Sequence, residues 1–462
     1  MLQACRGEHL RERFDQIARF ALRPVSSANE LARSLADTYR AIFSVHLDHY
    51  DAADVARMAP DLMRRMFELR VALRSRIDEW RHAGFMSRDV ERALRDVFRA
   101  ARYAGDMLGE LSIGFEKHVD GDPMPRAFAG LEHQTFFAAD AGGQPFAFRS
   151  GDVMLVRGLH HNSAAIARIG DVDTQFSHLS MIYVDQAGKA FVVESLIEEG
   201  AIINTLDYAL EHGLGRAVVY RHKDAALAAR AAELIHAHVT KSRNGEAPHI
   251  YYDFTMVPSG YKELFCSKLV RLAFEMASEG AVVLPSYPTR FDMRNRDFID
   301  RIGVKAIETF APGDIELEPA FDLVAEWQDY RVTSRLRLQD LIMTKLFAWM
   351  EEHDYRFKED MLVRVVGLFG RLASHLSERV KTFIADVVPK VPDNMTRRTI
   401  AAVAMLHRTA QPLLDELTMA ETSRIRDTGR PLHAKDVFAH LERRRSELGR
   451  TIGYLVTNTP GP

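Results

Sequence analysis

The period of the apolar residues changes twice along these 462 residues, and that switch confines the chain to a mixed architecture. From His9 to about Gly114 the apolar positions recur at helical spacing: Phe14, Ile17 and Ala21, then Leu31, Leu35 and Ile42, then Met63, Met66, Leu69 and Leu73. That period predicts three to five amphipathic helices, with breaks near Pro24, His49 and Gly84 and a helix cap at Ser87. Turn chemistry at residues 121–125 and 141–145 then marks a boundary. Between about Phe146 and Tyr220 short β-rich runs take over, at 153–156, 179–184, 191–194, 201–204 and 217–220, and they predict a small, largely antiparallel sheet. Helices are expected at 224–240 and 266–278, and a short strand or extended stretch at 310–319. From about Thr333 the helical period returns, at 338–350, 361–376, 395–417 and 437–455. The expected fold class is α+β: an antiparallel sheet with packed helices (131–332), flanked by all-helical regions at 1–130 and 333–462.

Composition removes several function classes. The chain is 47% hydrophobic and 27% charged, ordinary for a globular protein and unlike a disordered one. A formal net charge of -3 gives the molecule no overall attraction for nucleic acid or anionic lipid, so neither is expected as a partner. The basic run Arg443 to Arg445 alternates with Glu442 and Glu447 and reads as a solvated helix face. Two cysteines, Cys5 and Cys266, lie far apart without Cys or His ligand spacing, which argues against a disulfide framework or structural zinc. His160, His161, His236 and His238 also lack carboxylate or cysteine neighbours at ligand spacing, so no metal and no cofactor is expected. The first residues carry charges where a secretory peptide needs an apolar core, and no run of 18 uncharged apolar residues occurs. The expectation is a cytoplasmic chain without a transmembrane segment.

Cys266 stands where the polar stretch Tyr261-Lys-Glu-Leu-Phe gives way to an amphipathic helix. N–H groups of a first helical turn lack intrahelical partners and carry partial positive charge, so they stabilise a thiolate and can hold an oxyanion. Alone, a cysteine on such a helix is usually an inert core residue. A nucleophilic thiol needs a base, and the base needs a third group to orient it. His178 opens one β run and Glu194 closes the next, with Asp185 to Lys189 as the connection. Pairing Val184 with Ala190 puts Ser180 opposite Glu194 and His178 opposite Leu196, so histidine and glutamate share a face as diagonal neighbours about 7–8 Å apart at Cα. A connection one residue shorter would put them on opposite faces. Asp173 and Asn204 are the reserve candidates for the orienting group.

In order and spacing, Gly151-Asp152-Val-Met-Leu-Val-Arg157, Ser177-His178, Val192-Val-Glu194-Ser195, Tyr252-Asp253-Phe254 and Phe265-Cys266-Ser267-Lys-Leu-Val270 resemble the circularly permuted NlpC-type cysteine hydrolases of the YiiX/YebB kind. In that papain-like family histidine precedes cysteine in the chain, the reverse of papain. The resemblance covers roughly residues 146–330 and leaves both helical arms unexplained. It implies Cys266 as nucleophile, His178 as general base and acid and Glu194 as orienting group. Backbone amides of Cys266 and Ser267 would be oxyanion donors, and Ser177 and Tyr252 would belong to the pocket. Residues 162–175 make a longer insertion than a minimal member needs and would shape or cover the site. The implied activity is that of a cysteine hydrolase or acyltransferase cleaving an amide or ester through a thioester, on a peptide or lipid-type small substrate. The competing reading is an interaction scaffold, or an inactive ligand-binding descendant, with the helical arms as its working surface.

Overall fold

The computed structural model describes residues 7–119, 124–129, 134–139, 146–171, 173–211, 213–359 and 393–458. Cys5, the residues 121–123 and 141–145 of the expected turns, and the helix expected at 361–376 lie outside the described residues.

The N-terminal region folds as α1 (Gly7–Ala21), α2 (Ala28–Phe43), α3 (Ala52–Ser75), α4 (Ile77–His82) and α5 (Arg88–Ser112). Side chains of Ser27, Asp51 and Ser87 cap α2, α3 and α5 by accepting the N–H three residues on, so Ser87 caps as its sequence context predicts. The sheet region then runs β1 (Thr135–Phe137), β2 (Val153–Gly158), α6 (His161–Arg168), β3 (His178–Val184), β4 (Ala190–Leu196), β5 (Gly200–Thr205), α7 (Leu206–Glu211), β6 (Leu214–His222), α8 (Ala225–Arg243) and α9 (Cys266–Ala277). After it come β7 (Thr289–Arg290), α10 (Asp297–Ile302), β8 (Glu308–Thr309), β9 (Phe321–Gln328), α11 (Tyr330–His353), β10 (Arg356–Phe357), α12 (Arg397–Thr428), α13 (Ala434–Leu448), β11 (Thr451–Ile452) and β12 (Leu455–Val456).

Among the described residues seven strands form one antiparallel sheet in the order β1-β9-β6-β2-β3-β4-β5. Because side chains alternate along a strand, the sheet feeds two cores. Val153, Leu155, Leu179, Met181, Val193 and Val218 join the large core with the long helices. Met154, Val156, Ile182, Val192 and Val219 join a smaller core with Phe128, Phe146, Leu206 and Leu210.

The α+β class stands, and three local expectations change. Residues 312–317 are a 3-10 helix (Pro312–Leu317), because Pro312 pre-sets the turn and the buried Asp314 carboxylate accepts the Ala311 N–H (2.8 Å) and Thr289 N–H (3.0 Å) while pairing with Arg95. The closing strand is β9, whose Glu326 and Gln328 break the apolar pattern in the sequence yet are buried in the fold. The helix expected at 437–455 stops at Leu448, since Gly449 and Gly453 take positive φ (64° and 56°) and the chain turns into the β11–β12 hairpin.

The helical arms meet the sheet region through buried ion pairs. On α5, Arg95 reaches Asp314 (2.8 Å), Arg102 reaches Glu316 (2.7 Å), Asp106 receives Arg216 of β6 (2.6 Å) and Glu110 receives Arg337 of α11 (2.8 Å). Arg70 of α3 holds Glu326 of β9, and Arg337 also binds Glu421 of α12 (2.7 Å). Arg157 of β2 is paired with Asp340 of α11 at 2.7 Å.

Candidate active site

Phe265 is extended (φ -90°, ψ 168°) and supplies no side-chain cap, so the helix begins at Cys266 with its first N–H groups uncommitted within the helix. The approach to this turn is pinned to the sheet. Ser195 Oγ on β4 donates to the Leu264 carbonyl (2.6 Å), Leu264 N–H donates to Tyr251 (3.0 Å), and Ala201 N–H on β5 donates to Ile250 (2.9 Å). Gly200 (φ 70°) permits the last contact, for an added Cβ would lie 2.1 Å from the Ile250 carbonyl oxygen. Along the helix, Lys268 Nζ is 2.7 Å from the Asp253 carboxylate, and both side chains are buried.

The β3–β4 hairpin has the register read from its five-residue connection, with Val184 opposite Ala190 and Met181 opposite Val193. Asp185 Oδ1 accepts the Ala187 and Lys189 N–H groups, and Gly188 takes φ 80° to close the turn. The ladder ends at Met181, and the next contact between the strands is made by side chains. His178 Nε2 lies 2.7 Å from Glu194 Oε2. The other carboxylate oxygen accepts a hydrogen bond from Asn204 Nδ2 at 2.6 Å. Asn204 therefore braces Glu194 instead of replacing it. Asp173 is elsewhere: its carboxylate accepts the Gln175 N–H (2.8 Å) and lies 4.0 Å from Arg99.

With Nε2 directed to Glu194, His178 also acts on the Cys266 thiol, and each group is among the main influences on the other's protonation. Burial is the largest single influence on both groups and opposes both charges. The partners outweigh it. Hydrogen bonds to Cys266 and Glu194, with their charges, push His178 up to about 10. The His178 hydrogen bond and charge, the Leu179 N–H and the Ser267 hydroxyl bring the Cys266 thiol below its ordinary value. Both shifts favour a thiolate beside an imidazolium.

Ser267 is fully buried with its hydroxyl 3.7 Å from Cys266 Sγ. Tyr252 lines the same cleft, and burial followed by the Cys266 charge drives its hydroxyl well above the usual range, so it remains a protonated donor. Ser177 is not brought to the cleft. Its hydroxyl accepts from Gly158 N–H (3.2 Å) and faces the Val156 carbonyl (3.5 Å), tying β3 to β2.

The cleft is narrow: the centre of a water-sized sphere can move through about 90 Å³ of it. The insertion after β2 forms one wall as α6, through Asn162, Ala165, Ile166 and Ile169. Another wall comes from α10 and the C-terminal helix α12, through Ile302, Thr399, Val403 and Leu406. Sequence reasoning missed that second wall; its signal, apolar positions at helical spacing in 395–406, is the same one that marks a core stripe. The paired histidines have local partners. His161 Nε2 is 2.9 Å from Gln411 Oε1 and burial presses it down to about 3, while His236 stacks on Tyr183 with ring centres 4.0 Å apart. Among the described residues no three His, Cys, Asp or Glu side chains converge as a metal site, and no helix is long and apolar enough to cross a membrane.

Residues 147–324 match the family model of the permuted papain-like amidase enzyme, YaeF/YiiX, C92 family. The matched segment holds every strand from β2 to β6, the Cys266 helix and the first residues of β9. No curated protein and no solved structure matched the chain.

Proposed function

We propose that the chain, whose residues 147–324 match the permuted papain-like amidase family model, is a cysteine hydrolase that opens an amide or ester bond through a thioester on Cys266. What supports this reading most is a helix-start thiol and a histidine that act on each other's protonation, with the histidine held through Glu194 by Asn204. In the proposed cycle the Cys266 thiolate attacks the acyl carbonyl carbon and a C–S bond forms. The carbonyl electron pair moves to oxygen, where the Cys266 and Ser267 N–H groups are the nearest helix-start donors. As the tetrahedral species collapses, the C–N or C–O bond breaks and His178 gives its proton to the departing amine or alcohol. Water then attacks the thioester, passing a proton to His178, and the acid leaves as the thiolate is restored. An amine or alcohol entering in place of water would make the same site an acyltransferase. Glu194 holds the ring orientation and stabilises the imidazolium, and Asn204 fixes Glu194.

The test is to mix the protein with an activated acyl ester, quench at acid pH and take the intact mass. The account expects one added acyl group, mapped to the Cys266 peptide and absent from Cys266→Ala. His178→Ala should slow ester turnover by about two to four orders of magnitude. Ester or amide turnover that persists unchanged in Cys266→Ala would remove the proposal.

A further inference from the structure

Resting on the thiol-hydrolase reading, we infer that the cleft beside Cys266 takes the acyl half of the substrate, an unbranched hydrocarbon chain of medium or greater length, and leaves the amine or alcohol half at the mouth. The thiol lies on the cleft wall, so the reacting carbonyl must sit there and one side of the scissile bond must enter. Among the described residues no Lys, Arg or His side chain lines the space, and Glu198 is the one charged residue that does. The polar groups that do are largely occupied by the protein. Thr399 Oγ1 is bonded to the Ile302 carbonyl (3.3 Å) and Thr396 Oγ1 (2.7 Å), and Thr309 Oγ1 donates to Met256 (2.8 Å). Asn162 Oδ1 accepts the Ser163 N–H at 2.8 Å. A peptide drawn into this space would lose water from each amide without regaining a partner, an unfavourable transfer, whereas each methylene gains from the same transfer.

Two neighbouring helices set the shape. From Ala165 on α6 to its C-cap Ile169, and from Thr399 to Leu406 on α12, one side of each helix borders the space. At 1.5 Å per residue the α12 wall runs about 10 Å, a slot suited to a chain of several methylenes. The C-terminal arm thereby acquires a role that the family match over 147–324 does not reach: it completes the acyl slot.

The experiment is a chain-length series of p-nitrophenyl esters, acetyl, butanoyl, octanoyl and decanoyl, with the matching aminomethylcoumarin amides, on the full chain and with Cys266→Ala as the blank. Full burial of one methylene corresponds to roughly a fourfold gain, so kcat/KM should rise at least about a hundredfold from acetyl to octanoyl. Ile166→Trp and Val403→Trp, which fill the slot from two different helices, should each collapse that ratio. The wild-type series decides the matter even where a variant does not fold. A flat chain-length profile with Cys266-dependent turnover of the acetyl ester overturns the acyl slot and leaves the hydrolase reading intact. Retention of the full ratio in both folded tryptophan variants overturns it equally. No Cys266-dependent turnover of any ester or amide removes the hydrolase reading and this inference with it.

Discussion

At His178 burial disfavours the charged ring while two hydrogen-bonded anionic partners favour it, and the partners win by enough to carry the imidazolium to about 10 from an ordinary 6.5. The sign of the consequence follows. Below about 10 the ring keeps the proton that the leaving group needs, and as pH rises through that value the proton is lost. On the acid side the thiolate persists below the usual thiol range and is lost as pH falls through the lowered Cys266 value. A kcat/KM profile should therefore stay high across neutral pH and fall near pH 10, and Glu194→Gln, which removes one of the raising partners, should move the basic limb down. An unmoved basic limb in that variant would count against Glu194 as the orienting group. The meeting of His178 and Glu194 was legible because its geometry is local: a five-residue turn sets the β3–β4 register, and the register sets the shared face. Ser177, expected at the pocket, bonds the β2 backbone. Neighbouring strand residues point to opposite faces, so the residue beside His178 turns toward the β2 backbone. Asn204 lies one strand further on, where its contact depends on the β4–β5 register, and the sequence could only hold it in reserve.

On α5 the charged residues at 95, 102, 106 and 110 recur at helical spacing and are all buried. In a sequence such a stripe is indistinguishable from a solvated helix face, which is why the packing of the arm against the sheet was not legible. The same holds for β9, whose Glu326 hides a central strand because its partner Arg70 is more than two hundred residues away in the chain. A buried ion pair adds little net stability, but breaking one strands a charge. Arg102 makes two bonds to Glu316 (2.7 and 2.8 Å) and one to Gln175 (3.1 Å). Arg102→Met should lower the unfolding free energy by about 3–5 kcal/mol, read as a fall in the urea midpoint, and adding Glu316→Leu should recover most of it. A midpoint unchanged by Arg102→Met would show that the pair does not join arm to sheet as described.

For the whole molecule, the mixed helix-and-sheet class was legible because the apolar period responds to local secondary structure. The sequence was silent on how the helices and the sheet meet. The family match ends near residue 324, whereas one wall of the cleft is built from residues beyond 395. A periodic stripe does not say whether it faces a core or an open slot, so the C-terminal arm's part in the site became visible only with the chain folded. Every functional statement rests on one proposal, that Cys266 is held as a thiolate by His178. The most direct test is the pH dependence of Cys266 alkylation by iodoacetamide, read by peptide mass spectrometry with Cys5 as internal comparison, in the wild type and in His178→Ala. The account predicts fast labelling of Cys266 that persists well below a free thiol's pKa of about 8.5 and is lost in the mutant. Slow labelling with an ordinary thiol profile, the same in both proteins, would contradict it.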